Sequence, residues 1–316
     1  MLRRYAYGVL AFNIGVILWG AFVRASGSGA GCGAHWPTCN GEVVPRAESL
    51  ETFIELTHRL TSGVAFLLVL ALMIAALRGR PKGHPMRAAA VLSMIFMVLE
   101  AAVGAGIVLL ELVADNQSLA RAGWMSVHLV NTFLLLGCLT LSAWWSGEEA
   151  VGVELRGKGS LTWLLGLALL GTIVVGMTGA ITALGDTLFP ARSLSEGIAQ
   201  DLSPTAHFLI RLRVWHPVSA VLVGLYTVAA GGLATMIRPE PIVRRAAVVL
   251  AALFVLQIGC GFLNLLLLAP IWMQMVHLLL ADVVWMALVI TAATVLRPAG
   301  ELAVDAPSAS PARATA

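Results

Sequence analysis

Glu55-Leu56-Thr57-His58-Arg59 runs straight into an apolar stretch, Leu60 to Leu77, that is long enough to cross a membrane. A carboxyl, an imidazole and a guanidinium at the mouth of such a span are costly there and point to function. Glu55 and His58 are three apart, so on a helix they share a face, one turn from each other. The pattern recurs: His128, His216 and His277 sit at matching places in three later apolar runs.

Outward from this stretch, the chain of 316 residues is 59% apolar and 12% charged, with a mean hydropathy of +0.89. Soluble proteins carry about 25% charged residues, roughly twice as many. Eight runs of membrane-spanning length can be drawn, near Tyr7–Val23, Phe53–Leu77, Arg87–Leu110, Gly123–Trp145, Leu161–Leu184, Phe208–Ile237, Val243–Leu268 and Ile271–Leu296. Thirteen of the 20 lysines and arginines fall on the side of the N-terminus, which predicts that both termini are cytoplasmic. Met1-Leu-Arg-Arg enters the first span with no Ala-x-Ala-like cleavage site behind it and no transit peptide ahead. A bacterial inner membrane is the expected location, with lipid as the surrounding partner. Nothing suggests nucleic acid, and a homo-oligomer stays open.

The chain reads as two related halves. Glu100…Gly104 and Gln257…Gly261 are offset by 157, His58 and His216 by 158, and Gly20-Ala21 and Gly179-Ala180 by 159. His128 and His277 are offset by 149, because the outer loop is longer after the third span than after the seventh. Four spans per half is an even number, so both halves point the same way, as a parallel repeat. The expected fold is an all-α membrane protein of eight transmembrane helices in two pseudo-symmetric four-helix bundles. Residues 1–150 form the first half and 151–297 the second. Residues 298–316, rich in Pro, Ala and Ser, are expected to be a disordered cytoplasmic tail.

Of four cysteines, Cys138 and Cys260 lie within spans and read as small apolar side chains. Cys32 and Cys39 share the first outer loop, Arg24 to Thr52, where a disulfide can persist, and the pair is expected to bridge. Of seven histidines, His35, His84 and His207 fall in or beside loops and are expected to be solvated. The other four occupy alternate spans, each within about two turns of the outer end. Imidazoles on facing helices can clasp an iron porphyrin from both sides, so two histidines per half suggest one haem site per half. A compact zinc or copper ion normally shows short local spacings, and none of the four has such a neighbour.

Haem propionates need cations or water. Arg121 lies two turns outward of His128, Arg213 three residues before His216, Arg59 directly after His58, and Arg24 at the end of the first span. All four are candidate propionate partners through paired hydrogen bonds, with snorkelling to lipid headgroups as the competing role. Trp19, Trp36, Trp124, Trp215 and Trp272 read first as an interfacial belt. The halves differ at the central position, since His58 has Glu55 one turn away where His216 has Arg213. A carboxyl can move protons, so the first half reads as catalytic and the second as electron storage. Glu100, deeper in the third span, is open between a structural and a proton-carrying role.

Taken together, Gly20-Ala-Phe-Val-Arg24-Ala-Ser-Gly-Ser-Gly29, Cys32, Trp36-Pro37, Cys39, Glu55-Leu-Thr-His58-Arg59, Val127-His128-Leu129, His216 and Val276-His277 resemble the haem A synthase family of cytochrome oxidase assembly. The resemblance covers all eight spans. It implies a haem-dependent oxidoreductase that oxidises a methyl substituent of haem O to a formyl group, giving haem A. It implies substrate haem ligands at His58 and His128, a needed glutamate at Glu55, and a haem B cofactor on His216 and His277. Paired cysteines, present in many members, match Cys32 and Cys39. A haem O synthase upstream and oxidase assembly factors downstream are the implied partners. The chain departs from the family at Glu100, where glutamine is common, at Pro217, where arginine is frequent, and in having no cysteines in the second outer loop. Two other readings remain: a di-haem cytochrome passing electrons from quinol, which leaves Glu55 and the cysteines unexplained, and a repeat-built transporter with histidine proton relays.

Overall fold

The computed structural model describes residues 1–298, apart from 44, 47, 48, 149, 156 and 157. The region read as a tail, from 299 onward, lies outside the described residues. In hydrocarbon no water can satisfy the backbone, so an apolar run must pair its N–H and C=O groups internally, as a helix does. The elements are α1 (Leu2–Ala25), α2 (Leu50–Gly79), α3 (Pro85–Leu109), α4 (Leu119–Trp144), α5 (Gly159–Leu188), α6 (Leu194–Leu202), α7 (Phe208–Arg213), α8 (Trp215–Ile237), α9 (Pro241–Leu266) and α10 (Ile271–Val295). With α7 and α8 joined in one span, eight segments among the described residues are long and apolar enough to cross a membrane. This is a multi-pass, all-helical membrane protein.

The ends follow local chemistry. Ser49 and Ser118 cap α2 and α4 by accepting from the N–H groups of Thr52 and Arg121. Pro85 and Pro241 open α3 and α9 at positions where no N–H is needed. Pro217 has no N–H to offer the Arg213 carbonyl and crowds it, and the sixth span breaks at Val214, between α7 and α8.

Packing runs α1–α2–α3–α4 and back to α1 in the first half, and α5–α8–α9–α10 and back to α5 in the second. This order sets α2 across from α4, and α8 across from α10. The halves meet through α4 against α5 and α10, and α1 against α10. Accordingly α4 and α10 are each 56% buried over their most apolar window, against 17–28% for the other spans, which makes them the central pair. Trp285 stacks on Phe133 with centroids 5.1 Å apart, and its Nε1–H donates to the Phe133 carbonyl at 2.6 Å.

Three expectations need correction. His84 is buried rather than solvated: its Nδ1 accepts from the Met86 N–H to cap α3, and its Nε2 pairs with the Gly147 carbonyl. His207 is half-buried between Phe189 and Phe208 and caps α7. Of the belt tryptophans, Trp215 and Trp272 are exposed, but Trp19 packs inward and donates to the Ile54 carbonyl, and Trp124 packs against Gly106. The second outer loop also holds a helix, α6, which its composition did not reveal.

Candidate haem-binding site

His58, His128, His216 and His277 lie six to nine residues into spans that begin at Leu50, Leu119, Phe208 and Ile271. At 1.5 Å rise per residue this places them at one depth. Each ring faces a glycine on the preceding span. A Cβ at Gly20 would lie 2.8 Å from the Cε1 of His58, at Gly179 2.9 Å from that of His216, and at Gly261 2.9 Å from that of His277. Gly104 stands in the same relation to His128 at 4.0 Å. The glycines thus form berths that let imidazoles lie against helix backbone. The repeat offsets had singled out these glycines, but their reason is visible only across the helix interface.

In the second bundle the rings of His216 and His277 face each other edge-on, with centroids 6.3 Å apart. The Nδ1 atoms of His58, His128 and His277 are buried without a hydrogen-bond partner among the described residues. Buried polar atoms are normally paired, so imidazoles opposed across a bundle, berthed on glycine and short of partners, fit the donor set of a haem iron held from two sides. Supporting groups differ from ring to ring. Thr178, next to Gly179, lies 3.2 Å from the Nδ1 of His216. Gln257 donates to the His277 carbonyl at 3.1 Å. Glu100 lies 3.6 Å from the Nδ1 of His128.

Glu55 is buried beneath the first loop. Its Oε2 accepts from the Cys32 N–H at 2.8 Å, and its Oε1 from the Nε–H of Arg59 at 3.1 Å. Arg59 also donates to the carbonyls of His35 and Thr38. Cys32 and Cys39 are joined in a disulfide, so this carboxyl–guanidinium pair clips the disulfide loop to the helix that carries His58.

All four candidate propionate arginines lie at the histidine end, each engaged by protein oxygens. Arg24 reaches into the other half, donating to the Ala183 carbonyl, Thr187 Oγ1 and Gln274 Oε1. Arg121 donates to the carbonyls of Ala114 and Asn116. Arg213, buried, bridges Asp186 and Asp201 and also reaches Gln200, which holds α6 onto the second bundle. Sequence reasoning missed Asp186, Asp201, Thr178 and Asp282. Asp282 is fully buried in α10 and neither carboxyl oxygen has a partner among the described residues. A lone aspartate inside an apolar span was the signal for it.

Comparison with known proteins gives the following. The family model described as cytochrome oxidase assembly protein matches residues 3–289. Two proteins named protoheme IX farnesyltransferase, from two strains of Thermus thermophilus, are 54% identical over 295 residues, covering 93% of this chain and 48% of theirs. The chain therefore spans about half the length of these relatives. A heme A synthase of Bacillus mycoides is 48% identical over 93 residues, 29% of this chain and 30% of its own.

Proposed function

The chain belongs to the cytochrome oxidase assembly protein family, and from that premise we propose that it converts haem O to haem A by oxidising a porphyrin methyl group to a formyl group. The observation that carries the reading is the set of four imidazoles at one depth, two per bundle, three of them berthed on glycine. The first bundle binds the substrate haem O through His58 and His128. The second holds haem B through His216 and His277. Haem B, when bound, supplies one-electron redox capacity. Arg24, Arg121 and Arg213 would exchange protein oxygens for propionates on loading, and Arg59 would exchange its loop carbonyls while keeping Glu55.

Taking a methyl group to a formyl group adds an oxygen atom and releases protons and electrons, the electrons passing to an oxidant from outside this chain, so a proton acceptor beside the first site serves the reaction. Glu55 is assigned that role. Arg59 and the Cys32 N–H hold its carboxyl one turn from His58, and fixed placement is what acid–base catalysis needs. In this reading the membrane is a bacterial inner membrane with both chain termini cytoplasmic.

The Thermus relatives support a partner. Their name specifies farnesyl transfer to protoheme IX, and about half of each lies outside the match. We infer that the unmatched half performs the farnesyl transfer and that its product, a farnesylated haem, is what this chain receives. Oxidase assembly factors would take the haem A onward.

The decisive experiment is the haem content of the purified protein, expressed with and without a haem farnesyltransferase. Haem B alone, joined by haem O and haem A on co-expression, is the expected result. Haem B in both bundles under either condition would instead make the protein a di-haem electron-transfer cytochrome.

A further inference from the structure

Glu100 on α3 approaches His128 from one turn deeper in the membrane. Its Oε1 accepts from the Thr132 hydroxyl and its Oε2 from the Asn131 side-chain amide, both at 2.5 Å. Asn131 is itself tied through its amide to the Phe96 carbonyl at 2.9 Å, and the single Thr132 hydroxyl hydrogen is shared between Glu100 and the His128 carbonyl, 2.9 Å away. The carboxyl is therefore fixed from two sides, with Oε1 at 3.6 Å from the unpartnered Nδ1 of His128.

The second bundle has the same backbone relation and different chemistry. Gln257 precedes Gly261 by four residues, as Glu100 precedes Gly104. Its amide nitrogen donates to the His277 backbone and lies 3.4 Å from the ring's Nε2, on the other nitrogen from the one Glu100 faces in His128, while its Oε1 has no partner among the described residues. Leu280 and Ala281 stand where Asn131 and Thr132 stand in the first bundle, so neither of these side chains can fix an acceptor there.

We propose that Glu100 is a positioning residue for His128: it takes the Nδ1–H, turns Nε2 toward the bundle interior, and lowers the reduction potential of the first-bundle iron relative to the second. The proposal rests on the reading that these histidines hold haem iron. A glutamate oxygen is a stronger acceptor than an amide oxygen. Accepting from the far nitrogen of a ligating imidazole makes it a stronger electron donor, which favours the oxidised metal. The ordering makes the second-bundle ferric iron the better electron acceptor of the two.

The test is a redox titration of the full-length, haem-loaded protein as wild type, Glu100→Gln and Asn131→Leu, with the ferric electron paramagnetic resonance spectrum recorded alongside. Glu100→Gln should shift the first-bundle midpoint to more positive potential and change its ferric signal, at equal haem content. Asn131→Leu, which frees the carboxyl from one of its two ties, should shift the same midpoint the same way by a smaller amount. An unchanged midpoint and signal in a fully loaded Glu100→Gln protein overturns the proposal and leaves the functional reading intact. If Glu100→Gln fails to load its first bundle, Asn131→Leu decides: a raised first midpoint supports the proposal and an unmoved one overturns it. Wild-type protein that binds no haem overturns the proposal and the functional reading together.

Discussion

A methyl group at Gly20, Gly179 or Gly261 would press on an imidazole at 2.8–2.9 Å, whereas at Gly104 it would meet His128 at ordinary contact distance. Over-packing of this kind costs about 1–3 kcal/mol, and here the strain falls on the ring. Alanine at any of the first three positions should reduce haem content or distort the haem spectrum, and Gly104→Ala should do neither. Purification and optical spectroscopy of the four variants check this, and equal effects at all four would count against the berths. His216→Ala should remove the second-bundle haem, read as the haem B content of purified protein. Glu55→Gln keeps an acceptor for the Cys32 N–H but loses the ion pair with Arg59. It should retain haem and lose methyl oxidation, seen as haem O accumulating without haem A in extracted pigments. Undiminished haem A in that variant would take Glu55 out of the chemistry. At this scale the histidines were legible, because an imidazole in an apolar run is conspicuous. What stands beside the rings was not: Thr178 at His216 and Glu100 near His128 come from other helices.

Among the elements, α6 was invisible to hydropathy: nine residues are too few to signal a span, and its polar side faces inward to Arg213. That arginine satisfies Asp201 from α6 and Asp186 from α5 at once. Both aspartates are partly exposed, so removing their partner should cost less than breaking a fully buried pair, on the order of 1–3 kcal/mol. Arg213→Ala should therefore loosen α6 while the spans hold, with faster limited proteolysis between Phe189 and His207 as the readout. An unchanged cleavage rate would show that α6 is held by other contacts. The spans themselves were legible to within a few residues. The break at Val214 is explained by Pro217, which reads from the sequence as a proline near a helix start.

For the whole molecule, the joint between halves is α4 against α5 and α10. A Cβ at Gly176 would lie 2.7 Å from Leu129 Cδ2 and 2.9 Å from Phe133 Cε2, so a larger residue must part α4 from α5. Gly176→Leu is expected to uncouple the halves and split thermal unfolding in detergent into two transitions, followed by circular dichroism. A single transition at the wild-type temperature would show that the α10 contact suffices. The sequence by itself determined the number of spans, the all-helical class and the alternate placement of four histidines. All of these depend on local composition and on distance along the chain. Only the tertiary structure decided which glycine receives which imidazole, that Glu55 clips the disulfide loop, and that Glu100 rather than Gln257 is fixed beside its histidine. The physical reason is rotational: a helix that is apolar nearly all round satisfies lipid at any angle about its axis. Which side chains face inward is then settled by how the helices pack, through small residues and polar ties between neighbours.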